Sequence, residues 1–413
     1  MNGSINDMPF PDRDCILLSY LMPPELAAEI YSADPLPQAQ TVNFAENLLG
    51  VLQAAFACVT FYGFAPIQDY PRGRIIFFGR RSFMSNGTLG YLLPFINLLI
   101  LKHLTRLFAL IWLLVSRRFR GKIVIVHGLH QPYLLFGLLA KFCGAFVGVM
   151  VTDEQGIAHV SDGAIRRVLK RIDGLFAQWA TKKFDFCLSL SMGLGELYSD
   201  GPRQFVFPGI IGLTPNLSRR ASKENFQLKT ILYAGTLAEG YGVDLLAEAA
   251  NFLPDDFEIR ILGRGPLAEQ INAASVICPR LKYLGFLDRQ AVLSEMADCD
   301  LLINPRPSDS RLAALSAPSK LIEYAMSGRP VLTTRLPSIT SEMSHALLYI
   351  DREDNTGVAK AIIDAFSLGS DELSRRGREY RNAIVRNYSS EIIGRRMRIF
   401  LEDVIKHRGR RDK

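Results

Sequence analysis

Apolar residues fall into short runs along this chain, separated by longer segments in which they recur at helical spacing. In the first half the runs Cys15–Leu21, Cys58–Tyr62, Arg74–Gly79, Ile123–Val126, Phe146–Val151, Phe186–Ser191 and Phe205–Phe207 predict strands. Thr41–Phe56, Leu134–Phe142 and Ile165–Lys183 predict the helices between them. Buried runs interleaved with amphipathic segments imply a parallel sheet covered on both faces. Gly209–Asn225 carries Gly, Pro, Asn and Ser without an apolar period and predicts a linker. The alternation then restarts: Thr230–Tyr233, Glu258–Leu262, Lys282–Leu284, Leu301–Ile303 and Val331–Thr334 predict strands. Helices follow, one with Val243, Leu246 and Ala250 on its apolar face, others over Arg289–Met296 and Pro318–Ser327. The expected architecture is α/β, with two Rossmann-like doubly wound domains facing a cleft. Residues 1–210 form the first domain, 211–228 the linker, 229–388 the second domain, and 389–413 a C-terminal crossover helix with a basic tail.

Size agrees with this division, since 413 residues give two domains each able to bury a core. A hydrophobic fraction of 48% and a charged fraction of 22% exclude a disordered chain. Six scattered cysteines, without a C-x-x-C pair or zinc spacing, fit reduced thiols in a cytoplasmic protein. The polar first fifteen residues lack the basic-then-apolar order of a signal peptide. Charge changes the picture more. Between Asp69 and Asp153 there is no acidic residue, against eleven Lys or Arg. The same interval holds two apolar runs, 89–101 and 107–116, separated by Lys102, His103 and Arg106 on one helical face. Neither reaches the roughly 20 residues of a membrane span. They predict an amphipathic helix that either lies on an anionic membrane surface or buries its apolar side. No nucleic-acid module accompanies the basic charge, so nucleic acid is not an expected partner.

Candidate chemistry concentrates in Leu301–Arg335. Pro318 suits a first helical turn and Gly328 the position after the last. Lys320 is out of place, because a helix N-terminus disfavours a cation. It is either one half of a surface pair with Glu323 at i, i+3 or, with Ser319 and the free N–H groups, a seat for an anion such as phosphate. Ligands of doubly wound sheets bind beyond the carboxyl ends of the strands. Gly235, Thr236, Gly263, Arg264, Asn304 and Arg306 all fall there. Gly263–Ala268 matches the relaxed G-x-G-x-x-A pattern but follows an internal strand without a ribose-binding acid downstream. It is better read as a tight turn that lets Arg264 reach the cleft. The D-x-D triplets Asp12–Asp14 and Asp298–Asp300 could hold a divalent ion carrying a diphosphate, but their settings favour structural roles, and no metal is expected. No G-x-S-x-G, H-E-x-x-H or G-K-[ST] motif is present, which argues against hydrolases, zinc peptidases and ordinary NTPases. His130, after a buried strand, is a candidate catalytic group or a loop residue.

Three segments together, LYAGTLAEGYGVDLLAEAA (232–250), IRILGRGPLAEQI (259–271) and LLINPRPSDSRLAALSAPSKLIEYAMSGRPVL (301–332), resemble glycosyltransferase family 4. These are two-domain GT-B enzymes that transfer a sugar from a nucleotide diphosphate. The N-P-R followed by P-S-K-x-x-E-Y is similar to a bacterial capsule and exopolysaccharide branch, and the first half matches in VHGLHQP (126–132) and VMVTDEQG (149–156). The resemblance implies a nucleotide-diphosphate sugar as donor, bound by the C-terminal domain, an acceptor bound by the N-terminal domain, and no metal or other cofactor. Basic side chains and helix N-termini would steady the leaving diphosphate electrostatically. By position it places Gly235 and Thr236 near the phosphates, Arg264 on the second glycine turn, and Ser319 and Lys320 at the diphosphate. Glu323 would hold the ribose, the turn Gly285-Phe286-Leu287 the base, and Asn304 and Arg306 would complete the nucleotide-sugar site. His130 would help position the transferred sugar, so that His130, Lys320 and Arg264 carry catalysis.

Two departures stand out. Thr236 and Ala238-Glu239-Gly240 replace the family's Arg and downstream Lys, and Arg306 could restore the lost charge. The family's first Glu, eight residues before the second, falls at Leu315, leaving Asp309 or Arg311 to meet the sugar. The resulting expectation is a retaining glycosyltransferase of hexosyltransferase type, peripheral at the inner face of the cell membrane. It would act on a lipid-linked or polysaccharide acceptor in bacterial surface polysaccharide synthesis. A nucleotide-sugar 2-epimerase of the same fold and a non-catalytic membrane partner are the alternatives, the latter motivated by Leu315.

Overall fold

The computed structural model describes residues 13–33, 39–157, 163–200, 203–211, 228–317 and 319–411. Most of the expected linker, Asp12 of the first D-x-D triplet, and Pro318 lie outside the described residues. The chain divides into two compact units, Met1–Gly212 with Ser390–Lys413, and Leu213–Ser389.

The first unit runs β1 (Asp14–Ser19), α1 (Pro24–Ala33), α2 (Ala39–Ala55), β2 (Cys58–Gly63), β3 (Phe77–Phe78), β4 (Arg81–Ser85), β5 (Thr88–Leu92), β6 (Phe95–Ile96) and α3 (Leu99–Ser116). It continues through β7 (Ile123–His127), α4 (Gln131–Phe142), β8 (Phe146–Val151), α5 (Ala164–Lys182), β9 (Phe186–Ser189), α6 (Met192–Tyr198) and β10 (Gln204–Val206). Its sheet has the order β10-β9-β8-β7-β1-β2-β5-β4. Every pair is parallel except β4 with β5. Leu17, Leu18, Val124, Ile125, Val126, Val147 and Val149 are fully buried, as strands covered on both faces require.

Two expectations fail here. The apolar run 89–101 is not helical before Leu99, because Asn86 (φ 48°) and Gly87 (φ 78°) fold 81–92 into a hairpin. Asn-Gly with both residues left-handed matches the strand twist, and this local signal outweighs the apolar run. Gly90 keeps the pairing tight, since a Cβ there would sit 2.6 Å from the Phe83 ring. The strand expected over Arg74–Gly79 shrinks to β3, which pairs antiparallel with β6 outside the main sheet.

The second unit runs β11 (Lys229–Ala234), α7 (Val243–Ala249), β12 (Phe257–Leu262), α8 (Ala268–Ile277), β13 (Leu281–Gly285), α9 (Arg289–Asp298), β14 (Leu301–Asn304), α10 (Arg311–Leu315) and α11 (Ser319–Met326). β15 (Val331–Thr333), α12 (Ser341–Ser344), β16 (Leu348–Tyr349), α13 (Asn355–Ser367) and α14 (Ser370–Tyr388) complete it. The sheet is parallel with the order β13-β12-β11-β14-β15-β16. Its order therefore reverses between β11 and β14, and such a reversal leaves a crevice beyond the strand ends. Asp300 accepts from Thr230 N at 2.9 Å and from its hydroxyl at 3.0 Å, tying β14 to β11. The second D-x-D triplet is thus anchored structurally. Among the described residues no group of three or more His, Cys, Asp or Glu is placed to hold a metal. No described helix is long and apolar enough to cross a membrane.

The last helix, α15 (Ser390–Arg411), belongs to the first unit and packs along α2. Gly394 allows the approach, since a Cβ there would come within 2.6 Å of the Val51 carbonyl oxygen.

Candidate functional site

At the reversal point of the second unit, β11 ends in Gly235 and Thr236, and β14 leads into Pro305 and Arg306. Lys320, in the first turn of α11, crosses directly over Gly235, where any Cβ would collide with its ammonium nitrogen. Its Nζ donates to the Tyr233 hydroxyl at 2.8 Å, and that hydroxyl donates to the Thr236 carbonyl oxygen at 2.8 Å. The amine lies 4.3 Å from the Tyr233 ring centre and 5.2 Å from that of Tyr241. Lys320 therefore points back over the glycine turn instead of closing a surface pair with Glu323. Arg306 lies 4.6 Å from the opposite partner in this arrangement, the Tyr241 ring, and is 8% exposed. Its Nη1 donates to the Ser316 hydroxyl, while its buried Nε has no acceptor among the described residues. Gly242 (φ 70°) brings Tyr241 into place by letting the 240–242 loop press on the Pro305 carbonyl.

Two cations thus share one aromatic-lined site, and among the described residues no carboxylate forms an ion pair with either. Burial, then the neighbouring Arg306 charge, pushes the Lys320 ammonium down to about 7, with Glu323 opposing. Burial likewise holds Arg306 below its usual range. Glu323 is raised by desolvation, against the attraction of Arg289 and Lys320. Unpaired buried charge is costly in a folded protein. An incoming anion with several oxygens would supply the missing partners, and Ser319 sits exposed at the same helix start.

The second glycine turn packs backbone on backbone. A Cβ on Gly263 (φ 144°) would strike the Gly235 carbonyl, and one on Gly265 (φ 158°) the Leu237 carbonyl. Leu237 N donates to Arg264 O at 3.0 Å, locking the two turns together. The G-x-G pattern is explained by this packing without a dinucleotide. Arg264 is exposed and lies 4.7 Å from the ring of Phe286, itself 66% exposed, with half-buried Leu287 beside it. These residues form an open shelf at the ends of β12 and β13. Asn304 is different: buried, its amide donates to the Thr333 hydroxyl at 3.1 Å, which donates back to the Asn304 carbonyl at 3.1 Å. Its side chain holds β14 to β15 at the strand end beside Arg306. Leu315 ends α10 as an apolar residue, and Glu353, which accepts from Ser308 N at 2.9 Å, orders the loop before it.

Sequence reasoning missed Tyr233, Tyr241, Ser316 and Glu353. The two tyrosines flank the first glycine turn in YAGTLAEGYG, and an aromatic beside a conformationally demanding glycine was the available signal. His130 lies in the other unit, as the N-cap residue of α4, with its ring edge-on to Tyr20 at 5.0 Å. The residue is exposed, yet crowding around the ring and the Arg106 charge keep its imidazole below the ordinary value. A hollow of about 190 Å³ between α7 and α8, lined by residues such as Leu267 and Ile271, shares no residue with the Lys320 site.

Residues 228–367 match the family model described as Glycosyl transferases group 1. That is about a third of the chain, and it covers the whole Lys320 site. Solved structures place both units in the GT-B fold. Trehalose-6-phosphate synthase OtsA is 13% identical with a TM-score of 0.63, over 95% of this chain and 99% of that one. Anabaena Alr3699/HepE in complex with UDP is 13% identical with a TM-score of 0.57, over 95% and 100%. TarM is 15% identical with a TM-score of 0.53, and this chain covers 80% of itself but only 64% of TarM's length. No curated protein matches the chain by sequence. The domain match and the shared fold support a glycosyltransferase.

Proposed function

We propose that the second unit binds a nucleoside-diphosphate sugar and that the protein transfers the sugar, with retention, to a lipid-linked or polysaccharide acceptor of bacterial surface polysaccharide synthesis. The observation that carries the donor assignment is the Lys320–Arg306 cation pair beside a glycine turn, with no carboxylate ion-paired to either among the described residues. On this proposal the diphosphate sits between the two cations and the Gly235-Thr236 turn, Glu323 meets the ribose, and the Arg264–Phe286 shelf takes the base. As the glycosidic bond breaks, negative charge grows on the diphosphate. Lys320, whose ammonium burial pushes down to about 7, holds its proton more tightly once the anion lies against it, so that positive charge faces the growing negative charge. Lys320 and Arg306 thereby supply the charge that a divalent ion would otherwise bring. A structural neighbour holding UDP supports the choice of donor class. His130, in the acceptor-binding unit, completes the proposal as a sugar-positioning group.

Membrane attachment is part of the same proposal. α3 exposes Leu99, Phe108, Trp112 and Val115, and α5 exposes Ile165, Val168, Leu169, Ile172 and Trp179. Arg166, Arg167, Lys170 and Arg171 alternate with the α5 residues, the composition of a helix lying in an anionic interface. The test is consumption of donor from a panel of nucleotide sugars, given a lipid-diphosphate acceptor on anionic vesicles. Turnover that disappears in Lys320→Met supports the reading. Turnover unchanged by that substitution, or no donor consumed at all, overturns it.

A further inference from the structure

Both cations of the Lys320 site rest on one ring. The Tyr241 ring centre lies 5.2 Å from Lys320 Nζ and 4.6 Å from the Arg306 guanidinium carbon. Three elements meet there: the loop after β11, the loop after β14 and the first turn of α11. Backbone packing fixes where the ring stands. Tyr241 lies between Gly240 (φ 79°) and Gly242 (φ 70°), and a Cβ on Gly242 would come within 2.0 Å of the Pro305 carbonyl oxygen. The loop that carries the ring is therefore pressed against the residue before Arg306. Arg306 is itself held, its carbonyl accepting from the Thr334 hydroxyl and its Nη1 donating to the Ser316 hydroxyl.

Elsewhere in the second unit a cation on a ring also has a carboxylate. Lys229 lies 4.4 Å from the Phe257 ring centre and pairs with Asp256 at 2.9 Å. Arg335 lies 4.1 Å from the Tyr349 ring centre and pairs with Asp351 at 3.2 Å. At Lys320 and Arg306 the ring contacts occur with no carboxylate ion-paired to either among the described residues. The difference is chemical. A carboxylate between two cations would hold them and cancel their charge, whereas a ring face attracts a cation through its quadrupole and has no net charge to cancel it. Two like charges are thus kept close together with both still open to one ligand. An anion with two phosphoryl groups can engage both, and one with a single phosphoryl group gains less from the second.

We propose that Tyr241 is a positioning residue whose ring face holds Lys320 and Arg306 together and thereby makes the site prefer a diphosphate to a monophosphate. It rests on the preceding proposal in taking a nucleoside-diphosphate sugar as the source of that diphosphate.

Calorimetric titration of the full chain with UDP, UMP and inorganic pyrophosphate tests this. Tyr241→Phe keeps the ring face, while pentafluorophenylalanine placed at the same position by nonsense suppression keeps the shape and strips the face of its negative charge. Tyr241→Phe should bind UDP and pyrophosphate within twofold of wild type. The pentafluoro variant should bind both at least tenfold more weakly with UMP changed less than threefold, so the preference for UDP over UMP falls. Tyr241→Leu should follow the pentafluoro variant. Circular dichroism melts check folding, and if Tyr241→Leu does not fold, the fluorinated variant, close in shape to phenylalanine, decides. Equal UDP affinity in the phenylalanine and pentafluoro variants, Tyr241→Phe as weak as Tyr241→Leu, or UDP and UMP weakened by the same factor overturns the positioning role and leaves the donor site standing. Pyrophosphate affinity that follows the ring, in a chain that ignores UDP, supports the role of Tyr241 and refutes the nucleotide donor. A wild type that binds neither UDP nor pyrophosphate overturns both.

Discussion

Replacing Lys320 by methionine exchanges a cation for an apolar side chain of similar shape, packed against Tyr233 and below Tyr241. In the folded chain the ammonium falls from 10.5 to about 7, chiefly through burial. At about 1.4 kcal/mol per pH unit, this corresponds to a ceiling of roughly 5 kcal/mol of destabilisation from holding the charge. The amine keeps its bond to Tyr233 and its side chain is only partly buried, so a gain of about 1–3 kcal/mol is the working expectation. The sign follows from proton binding. Because the folded value lies below the unfolded one, the unfolded chain binds more protons between about pH 7 and 10.5, and this group's contribution to stability rises with pH through that window. Lys320→Met lacks that slope. In urea titrations following the C-terminal transition, the variant should therefore be more stable than wild type at pH 6, with the gap shrinking by more than half at pH 9.5. A variant less stable than wild type at pH 6, or a gap independent of pH, would refute the view of Lys320 as an unpaired functional charge.

Other consequences are as direct. UDP affinity should fall about tenfold per pH unit above pH 7 in calorimetry, since binding requires the protonated amine, and should flatten in Lys320→Met. Gly235→Ala should displace the Lys320 amine and cost at least a hundredfold in UDP affinity, while changing stability by less than about 1 kcal/mol, because the colliding atom ends a flexible side chain. Asn304→Ala should behave oppositely, losing about 1–2 kcal/mol in denaturant titration with UDP affinity within a few-fold of wild type, because its amide serves Thr333.

The strands were legible because buried parallel strands read as uninterrupted apolar runs; their carboxyl ends pointed to Gly235 and Arg306, while Lys320 stood out as a cation in the first turn of a helix. The hairpin at 81–92 was not, because the apolar run 89–101 continues from a strand into a helix without a change of composition, and only Asn86-Gly87 marks the break. The Asn304–Thr333 bond was not legible, because a polar residue at a strand end serves a ligand or the next strand equally well and Thr333 stands 29 residues away. Tyr241 escaped for the same reason of distance: its partner Arg306 comes from another strand's end, and aromatic residues near glycines have many uses. Arg106 was visible only as one charge of a basic helix face. That it turns inward, between Phe64 and Phe95, follows from tertiary packing that no local period encodes.

Among the described residues no carboxylate forms an ion pair with Lys320 or Arg306, which leaves a diphosphate to serve as their counter-ion. Thermal unfolding with and without a millimolar nucleoside diphosphate, in wild type and Lys320→Met, tests it most directly, because a ligand that binds only the folded state raises the transition temperature. A nucleoside diphosphate should stabilise the wild type, the matching monophosphate should do so less, and neither should shift Lys320→Met. Equal stabilisation of both proteins by the diphosphate would contradict it.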